Sequence, residues 1–304
     1  MDTAPAMNLH RVDLVSLSLF ALVARTGSIS KGAALAALAV GAASKRLSDL
    51  EHSLGTTLLE RHSRGVTLTE AGLALQRHAQ RILSDVDQMT ADLSDYASGL
   101  TGVVRLWANT SAVTQFLPAQ VSAFSRENPR IRIELEEADS HEIVVAVLDG
   151  RADLGIFADR TPALGLHVLN YRRDRLVLVA PAGHPLTRRK SARWEQAVEY
   201  DFVTLAKATS LHKRLEMETE KLGRRLRNRI QVRSFDAMCR MVAAGMGIAV
   251  LPDVAVEPLL KPLNLRRISL DEPWSDRTLL IGVRDLDALP RHVRVFIDHA
   301  CGPY

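Results

Sequence analysis

The sequence predicts a multidomain chain: a compact all-α unit carrying a small β-hairpin, then a long linker helix, then an α/β domain of two lobes. Three observations predict it. Short amphipathic stripes separated by turn residues crowd the N-terminal region. An apolar series stepping alternately by four and three runs from Leu75 to Tyr96 without a proline. Beyond Gly102, β-prone runs alternate with helical ones. With 304 residues, 47% of them hydrophobic, the chain can bury more than one core.

Composition excludes several classes. No apolar run is both long enough and uncharged enough to be a membrane helix or signal peptide, so a cytoplasmic protein with no membrane partner is expected. Cys239 and Cys301 are too few and too far apart in sequence for a CxxC metal site or a disulfide framework. The net charge of +4 suggests nucleic acid, but residues 1–98 hold nine basic and ten acidic side chains. The basic excess therefore lies in the C-terminal two thirds, and a case for DNA must rest on local pattern.

In the N-terminal unit, Leu14, Leu17, Phe20 and Val23 share one helical face, and Gly27 follows as a stop. Ser28 and Ser30 offer hydroxyl caps for a second helix through Lys31 to Ala37, whose alanines permit close packing. A third helix turns Ala43, Leu47, Leu50 and Leu54 inward and leaves Val40, Gly41, Ser44, Lys45 and Ser48 on its outer face. Two short β-prone stretches, from Leu58 to Arg61 and from Val66 to Leu68, flank a Ser63-Arg64-Gly65 tip. This is the layout of a winged helix-turn-helix, in which Arg61 and Arg64 reach phosphates or the minor groove. The bland alternative is a unit that serves only packing or dimerisation.

The stretch from Ser28 to Glu51, followed by Leu59-Glu60-Arg61 and the run Gly65 to Gly72, resembles the DNA-binding module of the LysR family. One departure is clear: Ala39, Val40 and Gly41 stand where that family usually has polar residues, so the recognition helix lacks its usual cap. Direct base contact then falls on Ser44 and Lys45, with Val40 able to touch a thymine methyl.

From Thr69, a candidate N-cap, a helix is expected to run to Ser98 with Leu75, Ala79, Ile82, Val86, Met89, Leu93 and Tyr96 as a coiled-coil seam. A partner helix follows from that spacing, and hence a dimer on an interrupted inverted-repeat operator. A long core helix within one domain is the alternative. Gly99 and Gly102 are expected to form a hinge, giving divisions at residues 1–68, 69–98, 99–102 and 103–304.

The C-terminal pattern implies a mainly parallel sheet with helices on both sides, repeated in two lobes. The runs Leu148 to Ile156, Val177 to Leu186 and Val242 to Ile248 resemble the LysR effector domain. That resemblance implies the periplasmic-binding-protein fold and a chain that crosses between lobes near Tyr171 and again near Trp274. Lobe I then spans about 103–172 and 276–304, and lobe II about 173–275. It also implies a small-molecule effector between the lobes, a carboxylate being one candidate, and assembly into a tetramer.

Helix N-termini at strand ends suit an anion. Asn109, Thr110 and Ser111 follow the first strand, Thr209 and Ser210 open a helix of the second lobe, Ser234 and Phe235 open another, and Phe157 offers an apolar wall. Ordinary helix capping is the competing reading of each. Arg224, Arg225, Arg227, Arg229 and Arg233, with Arg188, Arg189 and Lys190, read as a solvated face. No HExxH, GxSxG, Walker or GxGxxG arrangement is present, so neither a catalytic residue, a metal nor a cofactor is assigned. A ligand-gated DNA-binding protein is favoured over a DNA-tethered enzyme or a scaffold dimer.

Overall fold

The structure, a computed structural model, describes residues 12–63, 65–98 and 100–302; the side chains of residues 87, 88 and 91–98 fall outside that description. The chain divides into two compact units, with the break at the end of the linker helix between Ala97 and Ser98.

The first unit opens with α1 (Leu14–Thr26), whose first turn is capped by Asp13 Oδ1 accepting from the Ser16 amide at 2.8 Å. Ser28 Oγ caps α2 (Ile29–Leu35) by accepting from the Lys31 amide. Ser30 does not cap it, because the helix has already begun at Ile29 and Ser30 lies exposed in its first turn. A Cβ on Gly32 would stand 2.4 Å from the buried Val23 Cγ2 and 3.0 Å from the Val23 Cα and N, so α1 and α2 approach to a distance that favours glycine. Helix α3 (Val40–Leu54) buries Ala43, Leu47 and Leu50 against Phe20, Val23 and Ala33. Strands β1 (Leu59–His62) and β2 (Gly65–Leu68) pair antiparallel, with Leu59 opposite Leu68. Glu51 of α3 accepts from the Leu58 and Leu59 amides at 2.8 and 3.1 Å, pinning the hairpin to the helix.

Helix α4 (Glu70–Ser98) starts where Thr69 Oγ1 accepts from the Gly72 amide. Its Leu75 packs against the core of the first unit, so the free stripe begins farther along the helix. Ile82 and Met89 are 42% and 55% exposed in the single chain. The seam residues Leu93 and Tyr96 have side chains outside the description.

In the second unit, β3 (Gly102–Ala108), α5 (Thr110–Gln115), α6 (Leu117–Glu127), β4 (Ile131–Glu137), α7 (Ser140–Leu148) and β5 (Leu154–Ala158) build lobe I. Gly99 lies outside the described residues. Gly102 opens β3: it pairs with Ile131 in the sheet at φ +150°, and a Cβ there would stand 2.7 Å from the His292 ring. Strand β6 (His167–Pro181) then serves both lobes. Lobe II adds β7 (Ser191–Ala192), α8 (Trp194–Ala197), β8 (Phe202–Leu205), α9 (Ser210–Glu220), β9 (Asn228–Val232), α10 (Phe235–Ala243), β10 (Ala249–Pro252), α11 (Asp253–Leu260) and β11 (Leu265–Leu270). Strand β12 (Asp276–Val283) and α12 (Arg291–Cys301) return to lobe I.

Lobe I has the strand order β4-β3-β5-β12-β6. Its β3, β4 and β5 are parallel, but β12 is antiparallel to β5 and β6, and β6 is antiparallel to β10 and β11. The sheets are therefore mixed, because one long strand is shared and one strand comes back from the other lobe. Strand β6 pairs with β12 up to Arg175 and with β10 from Leu176. The first crossing thus falls after Arg175 and not near Tyr171, since an unbroken strand carries Tyr171 through the lobe I core. The second crossing is the 3-10 turn Pro273–Ser275, which contains Trp274.

Candidate functional site

Two surfaces carry the chemistry, one in each unit. On the first, α3 presents Val40, Gly41, Lys45 and Ser48 to solvent, with Ser44 half-buried. The backbone of Ala39 is extended, as a cap requires, but its side chain makes no cap hydrogen bond. Among the described residues, and apart from the backbone of α3 itself, no atom lies within 4 Å of a Cβ built on Gly41. From the hairpin, Arg61 donates to Ser44 Oγ at 3.2 Å and to Ser48 Oγ at 3.1 Å. Wing and helix are thereby joined into one polar face. Arg64 lies outside the described residues. Behind this face, Arg46 Nη1 donates to Asp13 Oδ2 at 2.9 Å and to Ser16 Oγ at 3.1 Å, tying α3 to the cap of α1. Burial opposes ionisation of Asp13, but the Ser16 hydrogen bonds and the Arg46 charge hold its carboxyl below the usual value.

The second surface is the cleft between the lobes, and it has a neck and a chamber. Asn109, Thr110 and Ser111 from lobe I and Thr209, Ser210 and Phe235 from lobe II line a neck of only ≈ 20 Å³. Asn109 and Thr209 spend their side-chain oxygens as caps of α5 and α9. Ser140 Oγ bridges the lobes: it donates to Ser210 Oγ at 3.3 Å and accepts from the Ala158 amide. Two expected residues are not brought in. Ser234 caps α10 and is exposed beyond the lining. Phe157 is fully buried against Trp107, Ile143 and Leu166, because both faces of the central strand β5 are covered and its side chain takes the α7 face.

Beyond the neck, sharing Ser140, Ser210 and Leu211 with it, lies a chamber of ≈ 300 Å³, the lower end of the roughly 300–1,000 Å³ common for small-molecule sites. Its apolar walls include Leu176, Met217 and Trp274, and its charged lining includes Asp159, Arg160, Lys213, Arg214 and Arg277. Arg277 pairs with the fully buried Asp174 of β6 and donates to Ser111 Oγ at 2.7 Å. Gln115 Nε2 donates to the same carboxylate. Arg214, Arg277 and Asp174 do not stand out in the sequence, and Trp274 stands out only as a crossing point and not as a site residue. Arg214 has the one readable signal, a cation flanked on α9 by the buried Leu211 and Leu215.

The basic run of lobe II is exposed, and three of its arginines contact lobe II backbone or carboxylates: Arg224 with Glu199, Arg227 with the Glu199 carbonyl and Arg229 with Asp201.

Residues 14–73 match the model of bacterial regulatory helix-turn-helix proteins of the lysR family, and residues 97–301 match the LysR substrate binding domain. The chain belongs to the LysR family. It is a transcriptional regulator with a DNA-binding helix-turn-helix and a small-molecule-binding, two-lobed effector domain. The uncharacterized HTH-type transcriptional regulator YbhD of Escherichia coli strain K12 is 27% identical over 277 residues, covering 91% of this chain and 87% of that one. A full-length OxyR variant from Pseudomonas aeruginosa has a TM-score of 0.76 at 20% identity, with 96% of each chain covered. Full-length CbnR complexed with its target DNA has a TM-score of 0.66 at 20% identity, covering 95% of this chain and 99% of that one. The effector binding domain of QuiR in complex with shikimate has a TM-score of 0.58 at 18% identity and covers 66% of this chain and 96% of that one. Among the described residues, no helix is long and apolar enough to cross a membrane.

Proposed function

We propose that this regulator binds an interrupted inverted repeat as a dimer paired through α4, that two dimers associate into a tetramer, and that a carboxylate held in the cleft changes its geometry on DNA. In this reading it is a cytoplasmic protein that catalyses no reaction. Ser44 and Lys45 read bases; Val40 meets a thymine methyl; Gly41 lets the backbone approach; Ser28, Ser30, Arg61 and Arg64 hold phosphates. The observation that carries the DNA reading is the joined face of α3 and the hairpin, where Arg61 spans to Ser44 and Ser48. The CbnR complex, of the same fold, is bound to its target DNA.

The effector reading is supported by the convergence of Asn109, Thr110, Ser111, Thr209, Ser210 and Phe235 on one neck that opens into a chamber. Two helices of lobe I and lobe II, α7 and α9, begin there, and unpaired amides at helix starts favour an anion. A ligand that binds one arrangement of the lobes better than another shifts the population between them. The domain of QuiR carries shikimate, a ring carboxylate of the class this cleft suits. Replacing Ser44 and Lys45 together with Ala tests the reading face. Footprints on DNA upstream of the gene should vanish while thermal melting is retained, and unchanged footprints would remove these residues from base recognition.

A further inference from the structure

The wing of the first unit grips the reading helix through a single side chain. Arg61 leaves β1 opposite Val66, and Glu51 holds the start of that strand against α3 through the Leu58 and Leu59 amides. From this fixed base Nη1 donates to Ser44 Oγ at 3.2 Å and Nη2 to Ser48 Oγ at 3.1 Å. The two serines lie four residues apart on α3, so they share a face and one planar fork reaches both.

That grip decides what each serine offers a base. A hydroxyl accepts through its oxygen and donates its one proton. A helical serine often turns that proton back to the carbonyl four residues earlier, as Ser53 of α3 does to Asp49 at 2.6 Å. Among the described residues, Ser44 and Ser48 donate to no acceptor, so their oxygens are engaged by Arg61 and their protons are unspent. An incoming amino group approaching either oxygen would also meet the Arg61 charge.

The rest of the face has the same polarity. Gly41, Ser44, Lys45 and Ser48 share one stripe, with Val40 exposed at its start. Lys45 only donates, and Val40 and Gly41 bring no polar side-chain atom. Asp49 and His52 can accept, but they lie farther along α3 in a groove shared with Asp13, and a recognition helix contacts bases through its N-terminal residues. In the major groove guanine shows the acceptors N7 and O6 and thymine shows O4 beside its methyl, whereas cytosine and adenine show an amino donor.

We infer that Arg61 is a positioning residue for sequence readout: it occupies the Ser44 and Ser48 oxygens, so both hydroxyls donate to guanine and thymine acceptors and turn away the amino groups of cytosine and adenine. This rests on the reading of α3 as the base-contacting helix, and adds which base atoms its serines take and what sets that choice.

The test selects sites for the full-length protein from a randomised duplex library, for the wild type and for Ser44→Ala and Ser48→Ala. Base pairs whose preference is lost in a serine variant are then rebuilt with analogues and titrated with the wild type, so this arm needs no further variant to fold. Weakening an acceptor with 7-deazaguanine, 6-thioguanine or 4-thiothymine should cost about tenfold in at least one case, whereas deleting an amino group with purine or 2-pyrimidinone should cost less than about twofold. Arg61→Lys keeps the charge but not the fork. It should leave the salt slope unchanged and shrink the acceptor effect to below about twofold, a base-specific change that loss of a phosphate contact does not produce. No enriched sequence, or one unchanged in both serine variants, would take down the reading face and this inference together. Affinity lost on deleting an amino group, no effect of any acceptor analogue, or an acceptor effect retained in Arg61→Lys would overturn the inference and leave the reading face standing.

Discussion

The recognition helix begins without a cap, and this defect can be repaired without touching the core. Ala39 sits at φ −65° and ψ 140°, exposed, with no side-chain hydrogen bond to the first turn. A serine there needs no backbone movement to accept from an amide of that turn, and such a cap contributes roughly 1 kcal/mol. Gly41 lies inside the same turn, and among the described residues a methyl group on it would meet nothing within 4 Å beyond the backbone of α3 itself. Alanine at that position adds up to about 1 kcal/mol by removing conformational freedom from the unfolded chain. The two gains share one turn, so their sum is about 1–2 kcal/mol and not strictly additive. Hydrogen exchange of α3 amides in the full chain reads this directly. Ala39→Ser should slow exchange about fivefold, and Ala39→Ser with Gly41→Ala by up to about thirtyfold. Unchanged or faster exchange in α3 would refute the claim that its start is energetically uncapped.

Arg61→Ala removes two exposed hydrogen bonds to Ser44 and Ser48, so stability should change by less than about 0.5 kcal/mol. Its DNA affinity should fall and the salt slope of binding should drop by about one unit, seen in anisotropy titrations at several salt concentrations. Asp174→Asn strands Arg277, which is 9% exposed, and should cost about 3–5 kcal/mol in urea unfolding followed in the C-terminal unit. His184 is pulled below its ordinary value by burial, and its Nδ1 accepts from the Leu186 amide. The unfolded chain therefore takes up the proton first. This contribution to stability is complete above about pH 6.5 and declines as pH falls below it. His184→Asn, which keeps an acceptor, should flatten the dependence of melting temperature on pH below about 6.5.

Much of this fold is legible from local pattern because its causes are local. The inward stripe Ala43, Leu47 and Leu50, the Thr69 cap and the Gly27 and Gly55 stops each depend on residues within a turn or two. Ser30 misleads because Ser28, two residues earlier, is an equally good cap and the helix takes the first one offered. Phe157 misleads because alternation along β5 gives two apolar faces with nothing local to say which meets the cleft. The chamber is invisible for a different reason. Arg277 and Asp174 are 103 positions apart, and Arg214 and Trp274 come from different elements, so only the two crossings of the chain bring them to one place. A cation on a helix normally reads as a surface residue, and burial of Arg214 is set by the opposing wall.

Regulation by this protein requires that a small molecule in the cleft alter the DNA complex. The most direct measurement compares footprints and DNA bending by the full-length protein, on DNA upstream of its own gene, with and without a saturating ligand from a thermal-shift screen. The protected region or the bend angle should change with ligand, and Ser210→Ala, on the wall shared by neck and chamber, should shift the ligand concentration required. Saturating ligand that leaves footprint, bend and affinity all unchanged would contradict it.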